Sequence, residues 1–395
     1  MPAPSVAAPA SSEPPLQPAL EAARGVAAAL VVVAHYAPIA GVSSGWTRYT
    51  FTGVDLFFVL TGYVFASTWL RADAPVTWRG YAVRRIGRLM PLYVLAVLAY
   101  AALNLLQGAG SEQLRWVGLH LVFAHTLQSR EIAFSLNPAF WSLPVEVAFY
   151  LALPLLAALY RVGLPWALML CGALTVQAVV ACAARDAGAV ITPAFLLSVH
   201  LPGLLGSFAL GAAAWRVAQH GVSRATAAVL MLAGLGLWVL AAHRYGQPVD
   251  AALLAAPLAV PDLSIDTVKE LAVQGWTTAV RTWPGLMAAL AMALLLAGLG
   301  GWRSGATTAA ASPWRRGGAW IGLQMGALSY GVYLFHNLMP RALAGLQDSL
   351  GAFFLPVCAL ATVLLAALLH KGVEAPTRAW ARARAREIER AAASR

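Results

Sequence analysis

Charge is scarce in this sequence. Of 395 residues only 11% are Asp, Glu, Lys or Arg, and 16 of those are acidic. Soluble domains carry about a quarter charged residues, so a string of soluble domains is excluded. With 60% hydrophobic residues and a mean hydropathy of +0.70, the chain is expected to be a polytopic membrane protein. Cysteine is scarce too. Cys171, Cys182 and Cys358 lie in apolar runs without CxxC spacing. That excludes a disulfide framework or a zinc site, leaves three small buried hydrophobes, and gives no reason to expect a metal. There is no internal repeat and no soluble second domain. The first apolar run has no basic stretch ahead of it and no good cleavage site after it, so it is expected to remain as a helix. The net charge of +11 does not point to nucleic acid. The 27 Lys and Arg sit mainly between and after the apolar spans, a pattern that orients a protein in the lipid bilayer and contacts anionic headgroups.

What the sequence does have is a series of apolar runs. Ten are long enough to span a bilayer as helices: Leu20–Ala40, Thr52–Leu70, Leu89–Gln107, Trp141–Tyr160, Leu164–Ala184, Pro193–Val217, Ala225–His243, Pro284–Gly301, Trp320–Pro340 and Gly351–His370. The expected fold is therefore all-α, with about ten transmembrane helices. An eleventh segment, Leu114–Leu127, is interrupted by His120 and His125. If it does not cross, and the N-terminus is cytoplasmic, 19 of the 27 basic residues fall on the cytoplasmic side. If it crosses, the bias collapses. It is expected to be re-entrant or interfacial, with both termini cytoplasmic in a multi-pass protein of the inner (plasma) membrane. The division is then 1–18, a disordered Pro/Ala/Ser-rich lead; 19–372, the transmembrane domain; and 373–395, a basic cytoplasmic tail. The outer loop Arg244–Trp283 carries Asp250, Asp262, Asp266 and Glu270, with amphipathic spacing over Ile265–Ala272. It is expected to be a packed surface loop, with a lid as the alternative.

Charges inside the spans are costly and need a partner or a job. In the first span Arg24 and His35 are eleven residues apart, about three helical turns, so they share a face at a separation of about 16 Å. Asp55 opens the second span. Glu146 stands between Ser142 and Tyr150 at four-residue spacing, a polar stripe on one helix face. Ser329, Tyr333 and His336 line up in the same way. His35, Asp55, Glu146 and His336 thus reach similar depths from four helices, while Arg24, Arg85 and Arg88 gather at the inner face. Glu21 is expected to pair with Arg24 or Arg85. The remaining histidines, at 120, 125, 200, 220, 243 and 370, are expected to be structural. Arginines bind phosphates through planar paired donors. An imidazole takes a proton from an attacking hydroxyl, and a carboxylate can orient that imidazole. The layout suits a cytosolic thioester on a long phosphorylated arm meeting an acceptor from deeper in the membrane or outside.

LEAARGVAAALVVVAHY with its Arg-x10-His spacing, GVDLFFVLTGYVF, Arg85-x-x-Arg88 leading into PLY, FWSLPVEVAFY, SYGVYLFH and Glu374-x-Pro376 occur in that order from Leu20 to Pro376. In this the chain resembles the acyltransferase 3 family of integral membrane acyltransferases. The resemblance implies a ten-helix core that transfers an acyl group, usually acetyl from acetyl-CoA or another acyl-CoA, to a hydroxyl of a sugar in a surface or lipid-linked glycan. It implies that His35 is catalytic, that Arg24, Arg85 and Arg88 hold the CoA phosphates, and that Glu146 and His336 are polar positions of the pathway; from the layout of the residues, Glu146 or Asp55 is expected to orient or balance His35. Ser142, Tyr333 and His336 are then expected along the substrate path of the glycan or glycolipid acceptor. Thr61 replaces the usual Ser before Gly62 and keeps the hydroxyl. Direct transfer and an acyl-histidine intermediate both remain open. The competing expectation is a permease or flippase for a glycan or anionic metabolite, in which the buried charges line a transport path.

Overall fold

In hydrocarbon a chain must satisfy its backbone polar groups internally, and a helix does so within each segment. The computed structural model describes residues 17–42, 44–70, 77–108, 110, 113–128, 130–184, 193–253, 283–302 and 313–394. Among them every long element is a helix, and the single β feature is an isolated bridge between Val222 and Trp302. The helices are α1 (Pro18–Ile39), α2 (Gly53–Trp69), α3 (Trp78–Leu106), α4 (Gln113–Leu121), α5 (Ser142–Arg161), α6 (Trp166–Ala184), α7 (Leu201–Ala218), α8 (Arg224–Leu253), α9 (Trp283–Gly301), α10 (Pro313–Phe335), α11 (Phe354–Leu369) and α12 (Ala375–Ala393). The lead over residues 1–16, residues 71–76 and the amphipathic stretch within 254–282 lie outside the described residues.

The all-helical membrane architecture expected from composition is present, but the count differs. Among the described residues seven helical stretches are long and apolar enough to cross a bilayer, and two more, Trp166–Ala181 and Gly285–Gly301, are apolar but shorter. α10 carries Gln324, Ser329 and several glycine, tyrosine and tryptophan residues, which dilute its hydropathy, and it is not among the seven. α4 has nine residues and rises about 14 Å, less than half of a hydrocarbon core of about 30 Å, so it is too short to cross. One cysteine also departs from expectation. Cys358 is buried, whereas Cys171 faces outward.

Helices in lipid gain little from hydrophobicity and associate where small residues let backbones approach. α2 and α7 meet in this way twice: a side chain at Gly62 would overlap the Phe208 backbone, and one at Gly211 would overlap the Val59 backbone. Around that contact Phe149 of α5 stacks on Phe208 with ring centroids 4.0 Å apart, and Phe65 of α2 meets Phe149 edge-on at 5.7 Å. α1 packs closely on both α2 and α10. On the α10 side Gly326 leaves room for the Glu21 side chain. α12 runs back along α3, where Arg84 pairs with Glu389 at 2.6 Å. These contacts place the polar positions of α1, α3, α5 and α10 around a common interior.

Candidate active site

Three arginines define one end of that interior. Arg24 donates to Glu21 at 3.1 Å, three residues back on α1. Arg85 and Arg88 project from one face of α3 at i, i+3 spacing. The Arg85 guanidinium lies between two aromatic rings, 5.2 Å from the Tyr81 centroid and 4.9 Å from that of Tyr150, an arrangement that favours a cation on the ring face. Tyr150 in turn donates to Glu146. A cavity of about 60 Å³ runs inward from these arginines. Its polar wall is Ser142, Glu146, Tyr150, Ser329, Tyr330 and Tyr333; α2 supplies an apolar wall that includes Val54, Phe57 and Phe58, together with the Thr61 hydroxyl. The stripe expected on α5 and the Ser329 and Tyr333 positions of the one expected on α10 therefore face one space.

At the other end Tyr333 donates to the Ala139 carbonyl at 2.6 Å, leaving Ser142 to donate to the Tyr333 oxygen at 2.5 Å. The Tyr333 ring centroid lies 6.2 Å from that of His336, and His336 meets the half-buried His35 ring edge-on at 4.8 Å. Tyr36, the neighbour of His35, explains the meeting: its hydroxyl donates to the His336 carbonyl at 2.7 Å and ties the end of α1 to the end of α10. A second brace comes from Asn137, which donates to the Leu334 carbonyl at 3.0 Å and accepts from Asn337 at 2.9 Å. In both histidines Nδ1 lies 2.9 Å from a backbone carbonyl, Val31 for His35 and Tyr333 for His336. A carbonyl only accepts, so in the neutral rings Nδ1 carries the hydrogen and Nε2 carries the lone pair. The Nε2 atom of His336 is buried without a hydrogen-bond partner.

The carboxylates expected near His35 lie elsewhere. The described partners of His35 are the Val31 carbonyl and the His336 ring. Glu146 lies in the arginine cavity with Tyr150. Asp55 is buried in the first turn of α2, where a carboxylate suits the helix dipole, within electrostatic reach of Tyr49 and away from the cavity wall. Glu21 pairs with Arg24, one of its two expected partners. Of the histidines set aside as structural, His120 and His125 stack at 4.1 Å, and His370 contacts Glu374 at 3.0 Å. Tyr36, Asn137 and Asn337 were not anticipated from sequence. Their only signal is position beside His35, FWSL and His336. Among the described residues no group of three or more His, Cys, Asp or Glu could hold a metal ion.

A bundle of membrane helices with arginines, carboxylates and imidazoles among its interior side chains fits a membrane enzyme. Comparison with known families gives the class: a family model described as an acyltransferase domain matches residues 17–371, and the chain belongs to this acyltransferase 3 family. A stretch of 152 residues is 29% identical to a protein of Bacillus subtilis (strain 168) named "Putative peptidoglycan O-acetyltransferase YrhL". That match covers 35% of this chain and 23% of the relative's length. No solved structure matches the chain.

Proposed function

We propose that this protein is a multi-pass membrane O-acyltransferase that moves an acyl group, usually acetyl, from acyl-CoA to a sugar hydroxyl of a surface or lipid-linked glycan. The observation that carries this reading is that three arginines line a cavity whose wall includes Tyr333, and that the Tyr333 ring lies beside the His336–His35 pair. The donor phosphates rest on Arg24, Arg85 and Arg88 while the thioester end travels the roughly 16 Å toward His35. There Nε2 of His35 takes the proton of the acceptor hydroxyl as its oxygen attacks the thioester carbonyl. The carbon–sulfur bond then breaks, and the CoA thiolate leaves with that proton. An acyl group carried briefly on His35 would use the same nitrogen. His336 packs against His35, and its own Nε2 offers a second acceptor for the acceptor hydroxyl.

Both termini are assigned to the cytoplasmic side of the plasma membrane, which sets the arginines toward the cytosolic donor. The name of the Bacillus relative makes a cell-wall glycan the first acceptor to try. The test uses the full-length protein in detergent, with thiol release from acetyl-CoA followed with and without glycan. Acceptor-dependent release is expected, falling at least about a hundredfold in His35→Ala, the scale of a lost general base. A folded His35→Ala protein that transfers at the wild-type rate would overturn the role of His35. A wild-type protein that moves a glycan or anion but never consumes thioester is the permease outcome and overturns the whole reading.

A further inference from the structure

The C-terminal helix brings another arginine to the phosphate end of the site. α11 and α12 are joined through a π-helical turn at His370–Glu374, a geometry frequent at functional sites. Glu374 is 3% exposed inside this turn. Its two oxygens are held by His370 Nδ1 at 3.0 Å and by an Nη of Arg378 at 3.2 Å. α12 is fixed along α3 by close packing: Ala381 and the Thr377 carbonyl abut Gly87, and Glu389 abuts Gly80 while pairing with Arg84 at 2.6 Å. Gly87 precedes Arg88, and Thr377 precedes Arg378. The docking therefore sets Arg378 beside Arg88. The Arg378 charge is near enough to repel both Arg24 and Arg88, and Glu374 is near enough to act on Tyr330 of the cavity wall.

Four guanidinium groups in one region repel one another, and Glu21, Glu146 and Glu374 offset only part of that charge. A ligand carrying several negative charges relieves the remainder. Glu374 engages one nitrogen of the Arg378 fork through a single contact, so the other donors can meet a phosphate. We propose that Arg378, held in place by Glu374, is a binding residue for the phosphate end of the donor and closes the arginine cluster from the C-terminal side. The proposal rests on the acyl-CoA reading and adds to it a residue some 290 positions from Arg88.

The test is titration of the full-length protein in detergent with CoA at several salt concentrations. It compares wild type, Arg378→Gln, Arg378→Lys and Arg382→Gln, the last an exposed position on the next turn. Arg378→Gln is expected to weaken CoA about tenfold and to flatten the salt dependence, with Arg382→Gln unchanged. If Arg378→Gln does not fold, Arg378→Lys serves instead: it keeps the charge, lacks the planar fork, and is expected to weaken CoA severalfold. Unchanged affinity in the folded Arg378 variant, or weaker affinity with unchanged salt dependence, overturns the proposal and leaves the acyl-CoA reading standing. Absence of CoA binding by the wild type overturns the acyl-CoA reading itself.

Discussion

Tyr36→Phe isolates the contact that brings the two imidazoles together. The hydroxyl donates to the His336 carbonyl at 2.7 Å and lies 3.4 Å from the Thr362 hydroxyl. The phenyl ring of the variant keeps the packing of Tyr36, which is only 7% exposed. Thr362 already donates to the Cys358 carbonyl, so the main loss is the tie between α1 and α10. Hydrogen bonds between membrane helices contribute about 0.6 kcal/mol on average and up to about 1.7 kcal/mol. If that energy holds His35 and His336 in register, its loss appears as a drop in kcat of about threefold to twentyfold, since about 1.4 kcal/mol is tenfold. The arginines are untouched, so KM for acetyl-CoA should stay within twofold. Steady-state thiol release gives both constants, and a thermal melt in detergent checks folding. A rise in KM with kcat unchanged would refute the assignment, because it would place Tyr36 on the donor rather than on the imidazole pair.

The other expectations concern separate parts of the same interior. Arg85→Gln removes a cation held between two rings and should raise KM for the acyl donor about tenfold or more with little change in kcat, the scale of a charge-assisted hydrogen bond. Glu146→Gln should leave the pH profile of kcat in place, because the carboxylate faces Tyr150 and the Arg85 region rather than His35; a displaced profile would restore an orienting role for Glu146. Gly211→Val forces a side chain onto the Val59 backbone and should cost about 1–3 kcal/mol of stability, visible as a lower melting temperature. Burial lowers the pKa of His120 from 6.5 to about 4, and His125 is lowered as well, by burial and by its neighbour His120. Both are neutral in the fold but take protons when unfolded, so their contribution is complete above pH 6.5 and declines as pH falls toward 4. Melting temperatures from pH 7.5 to 4.5 should fall in the wild type and fall less in His120→Asn.

Much of this interior was legible in the sequence, for a geometric reason. A residue's height along a helix and its angle around it follow from 1.5 Å and 100° per position. That is why Arg24 and His35 share a wall, and why Ser142, Glu146 and Tyr150 face one cavity. What periodicity cannot supply is the rotation of one helix against another. Asp55 shares a depth with His35 yet turns toward Tyr49, and Glu146 turns toward the arginines. Tyr36 follows His35 directly but points about 100° away around α1, and only the tertiary contact with His336 gives it a purpose. Arg378 was hidden for the same reason, since it reaches Arg88 through α12 docking on glycines of α3. By length and hydropathy alone seven of the ten expected spans stand out among the described residues, because apolar helices such as Trp166–Ala181 are short and α10 is diluted by polar and glycine residues.

Tyr333 is the hinge between the two ends. Its hydroxyl belongs to the cavity wall, fixed by Ser142 and the Ala139 carbonyl, while its ring lies beside His336. With Phe57 packed edge-on against it at 5.4 Å, it links the cavity wall to the imidazole pair. In the proposed reaction the thioester is prone to hydrolysis, and two aromatic rings beside the reacting carbon would limit bulk water there. In that reaction, charge recognition and proton transfer lie about three helical turns apart. Substitutions among the arginines should register mainly in KM, and substitutions that move the histidines mainly in kcat, a division that follows from where Tyr333 stands.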